Sequence, residues 1–548
     1  MTRSTSRATL AALALAGAAS VIPAQQPASA QGAGATSSAP DVVLTNGKII
    51  TVDDRFSIAQ AVAIRGDRIV AVGSDAEVGK LATPATRRID LRGRAVIPGL
   101  IDNHMHLLRA GATWQSEVRL DGVASRKQLL DMLRARAKTA KPGAWIYTLG
   151  GWAVEQLDDK KPFTRAELDA VVPDHPVFLQ ASYYEAYLNS LALQQMKIDE
   201  KSPEWAERDA KGQLTGRIAE AGFRGLVNRI PAPSPDEAQA STAAMIKDLN
   251  RFGLTTFGSA GCEANVLPYY QRLAGESQLN VRVFCITGNE KQIPQMKLFQ
   301  GNNYFDYVTY GESVYGQLHD PMFLRKSNPT PEQLAEWRRI ATEVAKARLP
   351  LHVHANLEDT ISAFLDQIEA INKEYPIKNL RWVLAHANQL NATHLARMRE
   401  LGVYAAVHPW AVINGGINQR VFGEAALDMA PLDTIQRSGV IWGFGSDGNR
   451  ANQILPFTTL GWAVTGKMVG GTKVLRQPIS REDALIAHTR RNAFFVFQEN
   501  NLGSIQTGRL ADLVVLDRDY LTIPADQIKD IKPTMTMVGG RIVYEAAP

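Results

Sequence analysis

Residues 330–355 read TPEQLAEWRRIATEVAKARLPLHVHA, and the order of events in that stretch decides the fold. Thr330-Pro331-Glu332-Gln333 is a capping box with proline at the first helical position, so a helix begins there. Leu334, Trp337, Ala341, Val344 and Ala345 recur at helical spacing, and the apolar segment 351–354 follows as a strand. The same order appears outward in both directions. Ser234-Pro235-Asp236-Glu237 opens a helix that stops before Gly253 and a strand at 254–257. A third helix ends at Leu401-Gly402 before the strand 403–407, and a fourth ends before Gly439 and the strand 440–444. Helices alternating with short strands that are apolar on both faces predict a parallel sheet covered by helices. Over residues 99–499, a closed (β/α)8 TIM-like barrel with insertions fits this α/β pattern better than an open sheet.

The two ends of the chain read differently. Segments 42–45, 49–52, 61–64 and 69–72 are short strands, and the pattern returns at 513–516, 534–538 and 542–544 around the turn Gly539-Gly540. Neither end alone has enough strands to cover an apolar face, so residues 41–98 and 500–548 are expected to form one composite β-sandwich. Before them, Arg3 and Arg7 precede an apolar run at 8–21 that closes on Ala28-Ser29-Ala30. Those are the parts of a secretory signal peptide (1–30), followed by a linker at 31–40, so the protein is expected to be exported, periplasmic or secreted. The run is too short to serve as a stable membrane anchor.

Composition narrows the function. With 548 residues, 45% hydrophobic and 21% charged, the chain is globular rather than disordered. Sixty basic against 55 acidic residues leave +5, with no basic run, which argues against a nucleic-acid partner. Two cysteines, Cys262 and Cys285, exclude a disulfide-built scaffold and a thiolate zinc site. They are not expected to form a disulfide that the fold needs, one following a barrel strand and the other lying in the next.

Barrel chemistry sits at the C-terminal ends of strands. Several strands here finish on a metal-competent side chain. Residues two apart in an extended chain share a side, so His104 and His106 can face one ion together. Segment 351–354 ends on His354, 382–385 runs into His386, and 441–446 runs into Asp447. His352 is expected to face away from these and to be a satisfied core histidine. Imidazole plus carboxylate without thiolate suits one or two divalent ions, Zn2+ first, with Mn2+, Fe2+, Co2+ and Ni2+ also compatible.

These residues give the chain its resemblance to a known family. VIPGLIDNHMH (96–106), LHVHA (351–355), VLAHANQL (383–390) and GFGSDGN (443–449) resemble the first-, fifth-, sixth- and eighth-strand motifs of the amidohydrolase superfamily. The tail, ISREDALIAHTRRNA (479–493) and LGSIQTGRLADLVVLDRDY (502–520), is similar to that of its amidohydrolase 3 (YtcJ-like) group. The resemblance implies a distorted barrel with a composite sandwich. Many relatives bridge two metals with a lysine, but DYVTYGESVYG (306–316) places Thr309 there, which excludes a carbamate bridge. Glu312, three residues on, is then the expected substitute ligand; the other reading makes it a loop carboxylate that meets substrate or nothing. Relatives also tend to carry histidine where SYYEAYLNS (182–190) has Tyr183-Tyr184.

The implied function is an exported hydrolase in which metal-activated water attacks an amide or N-acyl C–N bond of a small molecule. Asp447 is the expected proton shuttle, so its titration is expected to set the acidic limb of the pH–rate profile. His408, at the end of 403–407, either donates to the developing oxyanion or is structural; both readings stand. Trp152, Tyr183, Tyr184 and Trp410 are candidates for an apolar substrate wall, with plain core, the commoner place for aromatics, as the other reading. Two other readings compete: a metal-dependent esterase or lactonase, and an exported ligand-binding relative without activity. A serine hydrolase is disfavoured because Tyr315 replaces the second glycine of a Gly-x-Ser-x-Gly elbow. Self-association is left open.

Overall fold

A computed structural model describes residues 39–262 and 265–547; the expected leader and nearly all of the linker lie outside the described residues. Eight parallel strands form the central sheet in chain order: β1 (Leu100–Met105), β2 (Leu254–Ala260), β3 (Arg282–Thr287), β4 (Phe305–Glu312), β5 (Leu351–Ala355), β6 (Trp382–His386), β7 (Val403–Val407) and β8 (Trp442–Phe444). The local signals act as read. Capping boxes at Ser234 and Thr330 start helices Pro235–Arg251 and Pro331–Lys346, and Gly402 ends helix Ala392–Leu401 in the left-handed conformation that glycine tolerates.

The sheet curls until β8 meets β1, and the seam between them holds the site. Asp447 N donates to His104 O at 2.8 Å, and His106 N donates to Gly448 O at 2.9 Å. Asn492, from the C-terminal helix Arg490–Phe495, donates its amide to Ile101 O and Phe444 O and so clamps both strands. The approach is close enough to require glycine: a Cβ on Gly445 would stand 2.8 Å from His104 N.

Two further sheets, one four-stranded and one six-stranded, sandwich an apolar layer that includes Leu44, Val62, Ile69, Val96, Leu513 and Met537. Both termini build it, because Leu513–Leu516 pairs antiparallel with Ala95–Pro98. Buried Arg282 of β3 ties the barrel to this sandwich through a two-pronged bond to Asp512, both contacts at 2.8 Å. Removing one partner strands a buried charge, so Asp512→Ala is expected to cost about 3–5 kcal/mol. A thermal or urea denaturation midpoint equal to that of the wild type would contradict this.

Helix–strand alternation does not hold between β1 and β2. A five-stranded sheet is inserted there, running from Ile146–Leu149 to Leu214–Ala219, with its own apolar cores. Trp152 belongs to one of them. It is fully buried, packs on Phe163 and Tyr187, and donates its indole to Thr148 Oγ1 at 2.9 Å, so it is core and not substrate wall.

Cys262 and Cys285 are paired in a disulfide, a bond that the sequence reading does not expect the fold to need. Strands β2 and β3 are adjacent and parallel, with Ser259 opposite Cys285. The chain just beyond β2 therefore returns Cys262 over Cys285, with Cα atoms 5.9 Å apart, inside the usual bridging range. Among the described residues no helix is long and apolar enough to cross a membrane.

Candidate metal centre

The polar residues at the strand ends converge. His104 lies near the end of β1 and His106 just beyond it; Glu312 ends β4, His354 lies near the end of β5, and His386 ends β6. Asp447 follows β8 with φ 54°, and His386 has φ 70°; both are left-handed conformations uncommon for residues with side chains. Such strain is found where surrounding structure holds a side chain in place for function.

Glu312 stands at the centre. Its Oε2 lies 3.6 Å from both His104 Nε2 and His106 Nε2. Its Oε1 lies 3.1 Å from His386 Nε2 and 3.4 Å from His354 Nδ1. Asp447 Oδ1 adds contacts of 3.8 Å to His104 Nε2 and 3.3 Å to His106 Nε2. Donors on one tetrahedral ion, with bonds near 2.1 Å, sit about 3.4 Å from each other, which matches most of these spacings better than hydrogen bonds do. Fully buried His104 Nε2 has no hydrogen-bond partner among the described residues, so the donor set fits a divalent cation.

Three of the four rings, those of His104, His354 and His386, are aimed by a partner on the other nitrogen, the usual support of a metal-binding histidine. His352 Nε2 lies 2.9 Å from His104 Nδ1, which corrects its placement. Positions 352 and 354 are two apart on β5, so both face inward. His408 Nδ1 lies 2.5 Å from His386 Nδ1. His408 is fully buried behind His386 and is not on the cavity wall, a placement that favours the structural reading, with its Nδ1 set against His386, over a contact with the substrate oxyanion. Asp320 Oδ1 lies 2.7 Å from His354 Nε2, and its carboxylate also accepts from Leu357 N at 2.7 Å. Asp320 was not foreseen because it lies in an irregular loop after β4, where no periodicity marks it.

The electrostatics follow from this packing. Burial would raise the Glu312 carboxyl, but the surrounding histidines hold it well below the usual range. Burial likewise opposes ionisation of Asp447, and His106, His386 and His104 outweigh it, holding the carboxyl at about 2. Burial lowers His354, yet Asp320 and Glu312 reverse this and hold it at about 10. Trp410 donates its indole to Asp447 Oδ2 at 3.0 Å and stacks on His386.

A cavity of about 660 Å3 opens onto these groups, with Tyr183, Trp410 and Met322 on its wall beside His106, Glu312, His354, His386 and Asp447. Of the expected aromatics, Tyr183 and Trp410 line it. Tyr184 does not; its ring turns to Phe323 at 5.4 Å.

A sequence profile of the amidohydrolase family matches residues 87–544. The chain is 27% identical over 546 residues to an N-substituted formamide deformylase of Arthrobacter pascens, covering 92% of this chain and 98% of that protein. It is 24% identical over 531 residues to the putative amidohydrolase YtcJ of Bacillus subtilis, covering 91% and 98%. The crystal structure of an uncharacterized metal-dependent hydrolase from Pyrococcus furiosus matches with a TM-score of 0.63 at 22% identity, covering 88% of this chain and all of that one. The profile spans the whole barrel and the returning strands, and the donors at the strand ends suit its chemistry: the chain belongs to the amidohydrolase family and is a metal-dependent hydrolase.

Proposed function

We propose that the protein hydrolyses the amide or N-acyl C–N bond of a small molecule, outside the cytoplasm, with divalent ions, Zn2+ first, that His104, His106, Glu312, His354, His386 and Asp447 would hold, two ions being the expected number. The observation that carries this reading is the division of Glu312, one oxygen toward His104 and His106 and the other toward His354 and His386. A divalent cation in such a site lowers the pKa of water to roughly 7 and polarises a carbonyl oxygen. The residues do the rest. Asp447, ionised and oriented by Trp410, takes the water proton and passes it to the leaving nitrogen. Tyr183, Met322 and Trp410 supply an apolar face for the substrate. The likeness to a formamide deformylase supports an N-acyl bond, and the imidazole–carboxylate donor set supports zinc.

Metal content of the purified protein, read beside a panel of amides and their matched esters, tests the proposal. Two ions per chain and faster amide turnover are expected. Esters cleaved with amides left intact would replace it with an esterase. For location, the Cys262–Cys285 disulfide suits an oxidising compartment. A mature N-terminus near Gln31 supports export, and an intact Met1 in the mature protein refutes it.

A further inference from the structure

Asp447 keeps a left-handed backbone at φ 54°, which persists in a residue with a side chain only where the surroundings over-determine it. Two sets of contacts do so. Upstream, the barrel supplies them: Ser446 N donates to Asp102 Oδ1 at 2.9 Å, and Asp447 N to His104 O at 2.8 Å. Downstream, the loop after β8 is tied to the inserted sheet and to the segment that leads into it. Gly151 N donates to Arg450 O at 2.9 Å, Ser182 Oγ to Ala451 O at 3.0 Å, and Ile454 N to Asp121 Oδ1 at 3.2 Å. The approach leaves no room for a side chain at Gly150, whose Cβ would stand 2.2 Å from Arg450 O. Glu117 is the junction of these ties, with its side chain fully buried. Its Oε2 accepts from Arg119 Nη1 and from Leu149 N of the inserted sheet, both at 3.1 Å. Its Oε1 accepts from Thr113 Oγ1 at 2.6 Å, on the helix that follows His106, and from Asn449 Nδ2 at 3.3 Å. Asn449 is buried and stands two residues beyond Asp447.

We propose that Glu117 is a positioning residue: it locks the loop after β8 to the inserted sheet and, through Asn449, fixes Asp447 where Oδ1 meets His104 and His106 and Oδ2 meets Trp410. A carboxylate suits the place because it accepts at both oxygens, and donors from four separate segments converge on it. An amide accepts at one oxygen only and turns two hydrogens on the donors at the other side. Glu117 is not on the cavity wall, so it reaches the chemistry only through the loop. The inserted sheet is then the rear support of Asp447 and not an appendage of the barrel. That this support serves turnover rests on the amide-hydrolysis reading above, with Asp447 as shuttle; that it places Asp447 does not.

Two readouts test this, and the first needs neither metal nor substrate. Trp410 donates its indole to Asp447 Oδ2, so its Nε1–H resonance in tryptophan-labelled protein, assigned by its loss in Trp410→Phe, reports where the carboxylate lies. Glu117→Gln should displace that resonance by more than its line width. Asp512→Ala, which lowers stability outside this network, should leave it in place. The second readout is turnover of the metal-loaded protein on the amide it cleaves fastest. Glu117→Gln and Asn449→Ala should each lower kcat by about 10–100-fold with KM and metal content unchanged, as for residues that support a site without entering it. Both act along one route, so the double variant should lose no more than the worse single one. An unmoved indole resonance in Glu117→Gln overturns the proposal. So do losses that add in the double variant, or that Asp512→Ala reproduces at an equal drop in thermal midpoint. A displaced resonance with no amide cleaved by the wild type keeps the placement of Asp447 and rejects amide hydrolysis.

Discussion

Glu312→Gln is expected to lower bound metal from two ions to at most one and to reduce turnover by about 10²-fold or more. The substitution keeps the shape and one oxygen but removes the charge and turns the second oxygen into a donor. The glutamate now faces His104 and His106 at 3.6 Å with one oxygen and His386 at 3.1 Å with the other. An amide nitrogen on either side would point its hydrogens at an ion or at a ring nitrogen that must stay free to ligate. The loss of charge is the larger effect, because Glu312 is held ionised at the centre of the histidines, where it offsets the charge of any cation bound there. Metal analysis after dialysis, with turnover measured on the same preparation, reads both quantities. Two ions at wild-type turnover would eliminate the bridge and leave Glu312 a carboxylate that merely packs among histidines. His104→Ala and His106→Ala bracket the result, since each removes a donor from the Oε2 side alone.

Most of this site was legible because a polar residue at the end of an apolar strand is conspicuous, and barrel geometry fixes where such ends meet. His104, His106, His354, His386 and Asp447 stand out in that way, and the terminal strands announce a sandwich because neither end covers itself. What failed depended on neighbours distant in sequence. The disulfide needs the register of β2 against β3, which no local pattern carries. Residue type alone leaves Trp152 and Tyr184 between substrate wall and core, and only the inserted sheet around the first and Phe323 beside the second decide their places. Asp320 meets His354 only because the loop after β4 folds over β5.

Asp447→Asn is expected to retain most of the bound metal and lose turnover by about 10²-fold or more. The asparagine keeps one oxygen for the ion and cannot accept a proton, while the four histidines and Glu312 still supply the other donors. Its backbone is fixed by the seam, through Asp447 N to His104 O at 2.8 Å, so the substituted side chain stays near its place. The pH dependence discriminates further and alters the expectation drawn from sequence. The surrounding histidines hold the folded carboxyl at about 2, below its ordinary value of 3.8, so Asp447 stays ionised at every pH above that. A carboxyl held that low does not account for an acidic limb near neutrality; a limb there fits the water that a divalent cation would bring to a pKa of roughly 7. Wild type and Asp447→Asn should then share the position of the acidic limb and differ only in height. A variant at wild-type turnover would end the shuttle assignment. One that loses its metal would make Asp447 chiefly a ligand. An acidic limb present in the wild type and absent from the variant would show that the carboxyl titrates far above about 2 when metal and substrate are bound.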